Sequence, residues 1–158
     1  YAGVYHWFPK MYGRMMNKGL GYLHFWGTFI CAYGVFFPMH FLGLAGLPRR
    51  YYQNSSFPMF DGLTDINAVI TFFALAGAIF QFIFIFNFFY SIFKGTKASK
   101  NPWQANTLEW TTPVERIHGN WPGELPTVHR WAYDYSKPGA DKDFILQTEP
   151  LKEGEEEH

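Results

Sequence analysis

Two long runs without a charged residue limit what this chain can fold into. Residues 19–48 and 66–93 contain no Asp, Glu, Lys or Arg, and the runs are 30 and 28 residues long. Roughly 20 predominantly apolar residues suffice for a helix to cross a bilayer core. We therefore predict two transmembrane helices. Neither run resembles a cleaved signal peptide, because both are too long.

The basic residues around these runs predict their orientation. They precede the first run at Lys10, Arg14 and Lys18 and follow the second at Lys94, Lys97 and Lys100. Between the runs, the cations are Arg49 and Arg50. Because Lys and Arg accumulate on the cytoplasmic side of membrane proteins, we expect both outer ends to be cytoplasmic and the connecting loop to lie outside. The formal net charge is zero, which gives no general electrostatic case for a nucleic acid partner.

The predicted fold class is an all-α membrane protein with an irregular C-terminal extension. Its five segments are the end of a preceding transmembrane helix with a cytoplasmic turn (1–18), a transmembrane helix (19–48), an outer loop (49–65), a second transmembrane helix (66–93) and a cytoplasmic extension (94–158). The extension is rich in proline, and we expect extended chain with one short helical turn.

Small residues predict where the two helices meet. Gly27, Cys31 and Gly34 recur at spacings of four and three, which gives one close-packing face. The second span carries its own small-residue patch at Ala74, Gly77 and Ala78. Uncharged polar residues in a span need partners or a cavity. In the second span these are Asn67, Thr71, Gln81 and Asn87.

The adjacent arginines of the outer loop are the main candidate binding site. Arg49 and Arg50 follow a turn punctuated by Gly46 and Pro48, against the charge bias of that side. Two guanidiniums held there require anions. Carboxylates of a buried cofactor and phosphates of lipid headgroups both fit this requirement.

The chain offers no metal or catalytic constellation of its own. Cys31 is the single cysteine, so no disulfide or cysteine-based metal site forms within the chain. His24 and His40 are 16 residues apart, or about 24 Å along a helix, and cannot share one ion. We interpret the histidines as hydrogen-bonded groups near the membrane interfaces.

Several blocks of the sequence resemble subunit I of the haem-copper cytochrome c oxidases, in its C-terminal part. The most specific is the pattern His-Phe-Leu-Gly-Leu-x-Gly-x-Pro-Arg-Arg-Tyr, which begins at His40. Further similar stretches are 1–9, 24–25 and 36–51, with 101–110 and 126–130 similar to bacterial members. The resemblance covers the whole chain, although the second span matches in its hydrophobic character more than in a specific sequence motif.

This resemblance implies a place in a larger subunit. The two spans would be the eleventh and twelfth of twelve helices in an aa3-type enzyme of the bacterial inner membrane, where oxygen is reduced to water with electrons from cytochrome c and protons are pumped. The ligands of haem a, haem a3 and CuB belong to earlier helices, so we expect this chain to be part of a longer subunit. Implied partners are the remainder of subunit I, subunits II and III, cytochrome c or a cytochrome-containing respiratory complex, and lipid.

The resemblance also implies roles for four residues. Arg49 and Arg50 match the arginines that hydrogen-bond the haem propionates, while Phe36 and Met39 match positions that line the low-spin haem pocket. Many relatives place an ion-binding aspartate two residues after the Arg-Arg-Tyr motif. Tyr52 and Gln53 stand in that region here, so the calcium or sodium site is in doubt.

Two other functions remain open on sequence grounds. The chain could be a non-catalytic two-helix accessory subunit of a respiratory complex. In that case only the hydrophobicity of its helices would match the oxidase subunit. It could also belong to a quinol oxidase of the same superfamily, which differs mainly in its electron donor.

Overall fold

The computed structural model describes residues 1–48, 50, 57–114, 118–135, 142–152 and 154. The described elements are α1 (Ala2–Tyr12), α2 (Lys18–Leu44), a 3-10 helix (Pro58–Leu63), α3 (Thr64–Lys94) and a second 3-10 helix (Leu108–Thr111). They fall into two compact units, Tyr1–Met16 with Lys94–His158, and Asn17–Phe93. The regular secondary structure in the described part of the chain is helical, without a β-strand.

The unit Asn17–Phe93 contains two helices that are long and apolar enough to cross a membrane. They are α2 and the continuous helical stretch Pro58–Lys94 that includes α3. Most of their side chains are exposed within the chain, as expected for helices that face lipid or other protein rather than a core formed by this chain alone.

Small residues of α2 accept aromatic rings of α3, which confirms the predicted close-packing face. A Cβ atom added to Gly27 would lie 2.2 Å from the Phe80 ring, and one added to Gly34 would lie 2.3 Å from the Phe73 ring. Between them, Cys31 packs against Gly77, whose added Cβ would meet the Cys31 Cβ at 3.3 Å. The two glycines therefore form sockets for the two rings.

The small-residue patch predicted on α3 is only partly correct. Gly77 lies at the contact, but Ala74 and Ala78 are exposed. The contact instead uses Phe73 and Phe80, because a flat ring fills a glycine socket more completely than a methyl group does.

Polar side chains of α3 find hydrogen-bond partners, as predicted, either in their own helical stretch or on α2. Asn67 donates to Leu63 O at 3.2 Å, and Thr71 donates to Asn67 O at 2.9 Å. Gln81 donates to Thr28 Oγ1 at 3.0 Å and to Gly77 O at 3.2 Å. Hydrogen bonds of this kind lower the cost of placing a polar group in hydrocarbon.

A polar cluster holds the start of α2 against the end of α3. The Asn17 N–H donates to Asn87 Oδ1 (3.1 Å) and Ser91 Oγ (3.3 Å), and Asn87 Nδ2 donates back to Asn17 O (3.1 Å). Asn87 and Ser91 have no exposed surface. Asn17 is also the N-cap of α2, and its side chain accepts from Leu20 N. One residue thus caps one helix and binds the other.

The unit containing Tyr1–Met16 and Lys94–His158 is organised around Trp110. This side chain is 2% exposed, and the Lys10 ammonium lies 5.6 Å from its ring centroid. Lys10 also donates to Trp110 O and Thr112 O. The Trp103 indole donates to His6 O at 2.9 Å. The beginning of the extension is therefore tied to α1.

A buried ion pair organises a second part of the same unit. Arg130 donates to Asp134 at 3.1 Å, and both side chains are almost completely buried. The same guanidinium donates to the carbonyls of Glu149 and Pro150 at 2.9 Å each. These charge-assisted bonds hold the chain near residue 150 without regular secondary structure.

Candidate functional site

The C-terminal end of α2 carries the residues for which the sequence predicts binding. The helix ends in a Schellman motif, because Leu47 N donates to Leu42 O and Gly46 N donates to Gly43 O, at 3.0 Å each. Gly46 has φ 84°, a left-handed conformation that glycine adopts without steric cost. Pro48 then prevents the helix from continuing.

Arg50 lies just beyond this helix end, in a turn, and is exposed. Its φ of 68° is unusual for a residue with a side chain. Within the described part of the chain, its guanidinium makes no hydrogen bond or ion pair, even though Asp61 and Asp65 belong to the same loop and the helix start that follows it. An exposed guanidinium without such a partner is available to an external anion.

Arg49, Tyr52 and Gln53 lie outside the described residues. The predicted role of Arg49 and the doubt about the ion site near Tyr52 and Gln53 are therefore not tested by the structure. Of the arginine pair, Arg50 alone contributes to the geometry described here.

Phe36 and Met39 lie on α2, about one helical turn apart, and point away from the protein interior. Their side chains are 64% and 44% exposed. Three residues of separation places them on neighbouring parts of one helix face. Together they form a small apolar surface, followed along the chain by the exposed guanidinium of Arg50. The structure thus leaves both side chains free to contact an apolar ring system.

The candidate site also includes His40, which the sequence analysis interpreted as a hydrogen-bonded group without naming its partner. Its Nδ1 lies 2.9 Å from Phe36 O, at hydrogen-bonding distance. Pro38 interrupts the N–H ladder of α2 in the same turn. A histidine four residues after a helix carbonyl near a proline was the available signal for this contact.

The described histidines do not converge on a metal. His6 belongs to α1, whereas His24 and His40 lie at opposite parts of α2. No group of three His, Cys, Asp or Glu side chains that could hold an ion occurs among the described residues.

The chain is similar to curated proteins over almost its whole length. A family model described as Cytochrome C and Quinol oxidase polypeptide I matches residues 1–76. An alternative cytochrome c oxidase subunit 1 from Bradyrhizobium diazoefficiens is 50% identical over 155 residues, which is 97% of this chain and 26% of that protein.

Other relatives agree with this match. Cytochrome c oxidase subunit 1 of Synechocystis sp. is 44% identical over 96% of this chain and 26% of its own length. The same subunit of Alkalihalophilus pseudofirmus is 43% identical over 72% of this chain and 18% of its own length. The chain thus spans about a quarter of the length of the first of these curated relatives.

Proposed function

Because the chain belongs to the family of cytochrome c and quinol oxidase polypeptide I and corresponds to a C-terminal part of bacterial subunit I, we propose that it acts in the catalytic subunit of a proton-pumping terminal respiratory oxidase. The reaction is reduction of dioxygen to water with electrons from cytochrome c. One observation carries the proposal, namely 50% identity to an oxidase subunit 1 over 97% of the chain. An accessory subunit would share hydrophobicity without this identity.

The proposed role of this piece is to bind haem propionates and to form a wall of the haem pocket. Arg50 supports this role because its exposed guanidinium has no acceptor among the described residues. Carboxylates near a low-dielectric region gain protons unless fixed cations oppose that gain. Arg49 and Arg50 would hold the propionates ionised through charge-assisted hydrogen bonds.

Phe36 and Met39 would contribute the apolar side of the same pocket. Both are exposed on α2, and an aromatic ring and a thioether contact a planar macrocycle favourably. The haem groups would supply one-electron chemistry when bound, with haem a, haem a3 and CuB held by ligands from other parts of the subunit.

The proposed setting is a multi-pass subunit of the bacterial inner membrane with twelve helices, of which α2 and α3 are the last two. Both ends of this chain would be cytoplasmic and the Arg49–Arg50 loop would lie outside, in agreement with the distribution of basic residues. Partners would be the remainder of subunit I, subunits II and III, and cytochrome c or a cytochrome-containing complex.

The electron donor is the point on which a quinol oxidase differs. The family description covers both cytochrome c and quinol oxidases. The relatives at 44% and 50% identity are named cytochrome c oxidase subunit 1, which favours cytochrome c. Turnover of the purified complex with reduced cytochrome c, compared with a quinol, tests this choice.

The test of the arginine role is replacement of Arg50 by Gln, and separately of Arg49 by Gln, in the complete oxidase. We expect a shift of the low-spin haem potential or a lower number of protons pumped per electron, because the propionates lose a fixed positive charge. Lys152→Gln, a loss of the same charge within the extension, is the control. Unchanged redox titration and unchanged proton stoichiometry in both arginine variants would refute the clamp.

A further inference from the structure

An isolated antiparallel β-bridge places two cations opposite each other in the unit that contains the C-terminal extension. The bridge joins Arg14 and Lys97. Its hydrogen bonds are made by the neighbouring residues, namely Ala98 N to Gly13 O at 3.0 Å and Met15 N to Thr96 O at 2.8 Å. Arg14 and Lys97 are therefore a non-hydrogen-bonded pair. Opposite residues of this kind approach most closely, with Cα atoms about 4.5 Å apart.

This arrangement is unfavourable for the two side chains by themselves. Like charges directly opposite each other in an antiparallel pair are destabilising. Within the described part of the chain, neither Arg14 nor Lys97 forms an ion pair. The neighbouring sequence offers no acid, because residues 1–18 and 94–108 contain no Asp or Glu. An anion bound between the two cations would offset their repulsion.

The Arg14 guanidinium is already held in one position. Its Nη1 donates to Gly95 O at 2.6 Å, and its Nε and Nη2 make no hydrogen bond among the described residues. A guanidinium presents its N–H groups in a planar fork that matches two oxygens of a phosphate. Lys97 is exposed, and its ammonium makes no hydrogen bond within the described chain. Both cations therefore retain donors for an external phosphate.

The position of the bridge along the chain places it near lipid headgroups. Lys94 ends α3, which belongs to a helical stretch long and apolar enough to cross a membrane. Lys97 follows three residues later, so it lies within about 11 Å of the helix end even in fully extended chain. Polar headgroups border the hydrocarbon core at this level. Lys94 and Lys100 are also exposed and add positive charge there.

A second approach of like charges occurs in the same unit. Burial and then the charge of Lys100 lower the pKa of Lys10 below its ordinary value of 10.5, against the opposing effect of Glu109. The turn after α1 and the start of the extension thus concentrate positive charge. The cations of this region are Lys10, Arg14, Lys94, Lys97 and Lys100. Such a concentration favours a ligand with net negative charge over a zwitterionic one.

We propose that Arg14 and Lys97 bind the phosphate of an anionic phospholipid at the membrane surface beside the end of α3. The phosphate oxygens would accept from Arg14 Nε and Nη2 and from the Lys97 ammonium. A lipid headgroup is favoured over free phosphate because the membrane holds headgroups at the level of the bridge. Assignment of this surface to the cytoplasmic leaflet rests on the proposed function, whereas the site itself does not.

The test measures how phosphatidylglycerol stabilises the complete membrane complex. The complex is exchanged into a neutral detergent, and its thermal denaturation midpoint is followed as the lipid is added, since a ligand of the folded state raises the midpoint. The variants are Lys97→Gln and Arg14→Gln. Lys18→Gln is the matched control, because Lys18 is an exposed cation at the start of α2 that lies outside the bridge.

We expect Lys97→Gln to have two effects of opposite sign. Without phosphatidylglycerol, its midpoint should lie at or above that of the wild type, because repulsion from Arg14 is removed. Its apparent affinity for the lipid should be about fivefold weaker, which corresponds to about 1 kcal/mol for one cation at a membrane surface. Arg14→Gln should weaken binding at least as much, and Lys18→Gln should bind like the wild type.

Several results would overturn the proposal. These are a wild-type midpoint that does not respond to phosphatidylglycerol, unchanged affinity in Lys97→Gln, or an equal loss of affinity in Lys18→Gln. Full stabilisation by inorganic phosphate would contradict the assignment to lipid, and equal stabilisation by phosphatidylcholine would contradict the need for net negative charge. If Arg14→Gln fails to assemble, Lys97→Gln decides alone, because its side chain makes no described hydrogen bond.

The haem spectrum of each variant separates this proposal from the proposed function. A wild-type complex with a haem spectrum but no response to phosphatidylglycerol would contradict the lipid site and leave the proposed function standing. A complex that binds the lipid through Arg14 and Lys97 but has no haem would support the lipid site and contradict the proposed function.

Discussion

The Gly27 socket gives the sharpest prediction about how this helix pair is held together. In a Gly27→Ala variant, the new Cβ would lie 2.2 Å from Phe80 Cδ1 and Cε1 and 2.4 Å from Cγ. Optimal carbon contacts are about 3.5–4.0 Å. The Phe80 ring or the helix must therefore move by more than about 1 Å.

The expected cost follows from two opposing effects. Overpacking a tight contact destabilises by about 1–3 kcal/mol. Replacing glycine by alanine within a helix stabilises the helix by up to about 1 kcal/mol. We therefore expect Gly27→Ala to destabilise the assembled protein by about 1–2 kcal/mol, with the clash prevailing because it involves several ring atoms at once.

Gly77 provides a matched control in the same helix pair. A Cβ added there would lie 3.3 Å from the Cys31 Cβ, which a shift of a few tenths of an ångström relieves. Gly77→Ala should consequently have little effect or be slightly stabilising. The measurement is thermal denaturation of the purified complex, together with the yield of assembled protein in membranes.

A double variant separates the socket from a general effect of the substitution. Phe80→Leu removes the ring that Gly27→Ala would strike, so the two changes together should cost less than the sum of the single changes. Contacting residues usually show coupling of about 0.5–3 kcal/mol. Equal stability of Gly27→Ala and Gly77→Ala, or strict additivity with Phe80→Leu, would refute the socket.

Two further predictions concern the ends of the helices. Asn87→Leu should destabilise the complex, because it removes two hydrogen bonds between the helices, each of which contributes about 0.5–1.5 kcal/mol. Asn67→Leu, which loses only a bond within its own helix, should cost less, and similar melting temperatures for the two variants would contradict this. Burial and then repulsion from Lys100 lower the pKa of Lys10 below its ordinary value of 10.5. Since the unfolded chain binds this proton more tightly, the contribution of Lys10 to stability rises with pH up to about 10.5. A Lys10→Met variant should therefore show a flatter dependence of the melting temperature on alkaline pH, and an unchanged slope would exclude this origin.

Much of the candidate site was accessible from the sequence because it depends on a contiguous motif. The pattern from His40 to Tyr51 identified the arginine pair, and Gly46 with Pro48 indicated the end of the helix. The sequence could not show that Arg50 is exposed, nor that its guanidinium has no acceptor among the described residues. That property depends on where Asp61 and Asp65, more distant in the chain, are placed.

The packing of α2 against α3 was also only partly predictable from the sequence. Gly27, Cys31 and Gly34 marked a close-packing face, since small residues at helical spacing have this property locally. Their partners were misassigned in part, because a phenylalanine-rich helix has rings on every side and only the register of two helices selects Phe73 and Phe80.

The sequence by itself determined the two uncharged spans, their flanking charges, the small face of α2 and the family motif at its end. These features arise from neighbouring residues or from a helical period, so they are readable before the chain folds. Tertiary structure alone decided the bonds from Asn17 to Asn87 and from Lys10 to Trp110, across 70 and 100 residues. Contacts of this kind depend on the register and rotation of packed helices, which no local pattern specifies.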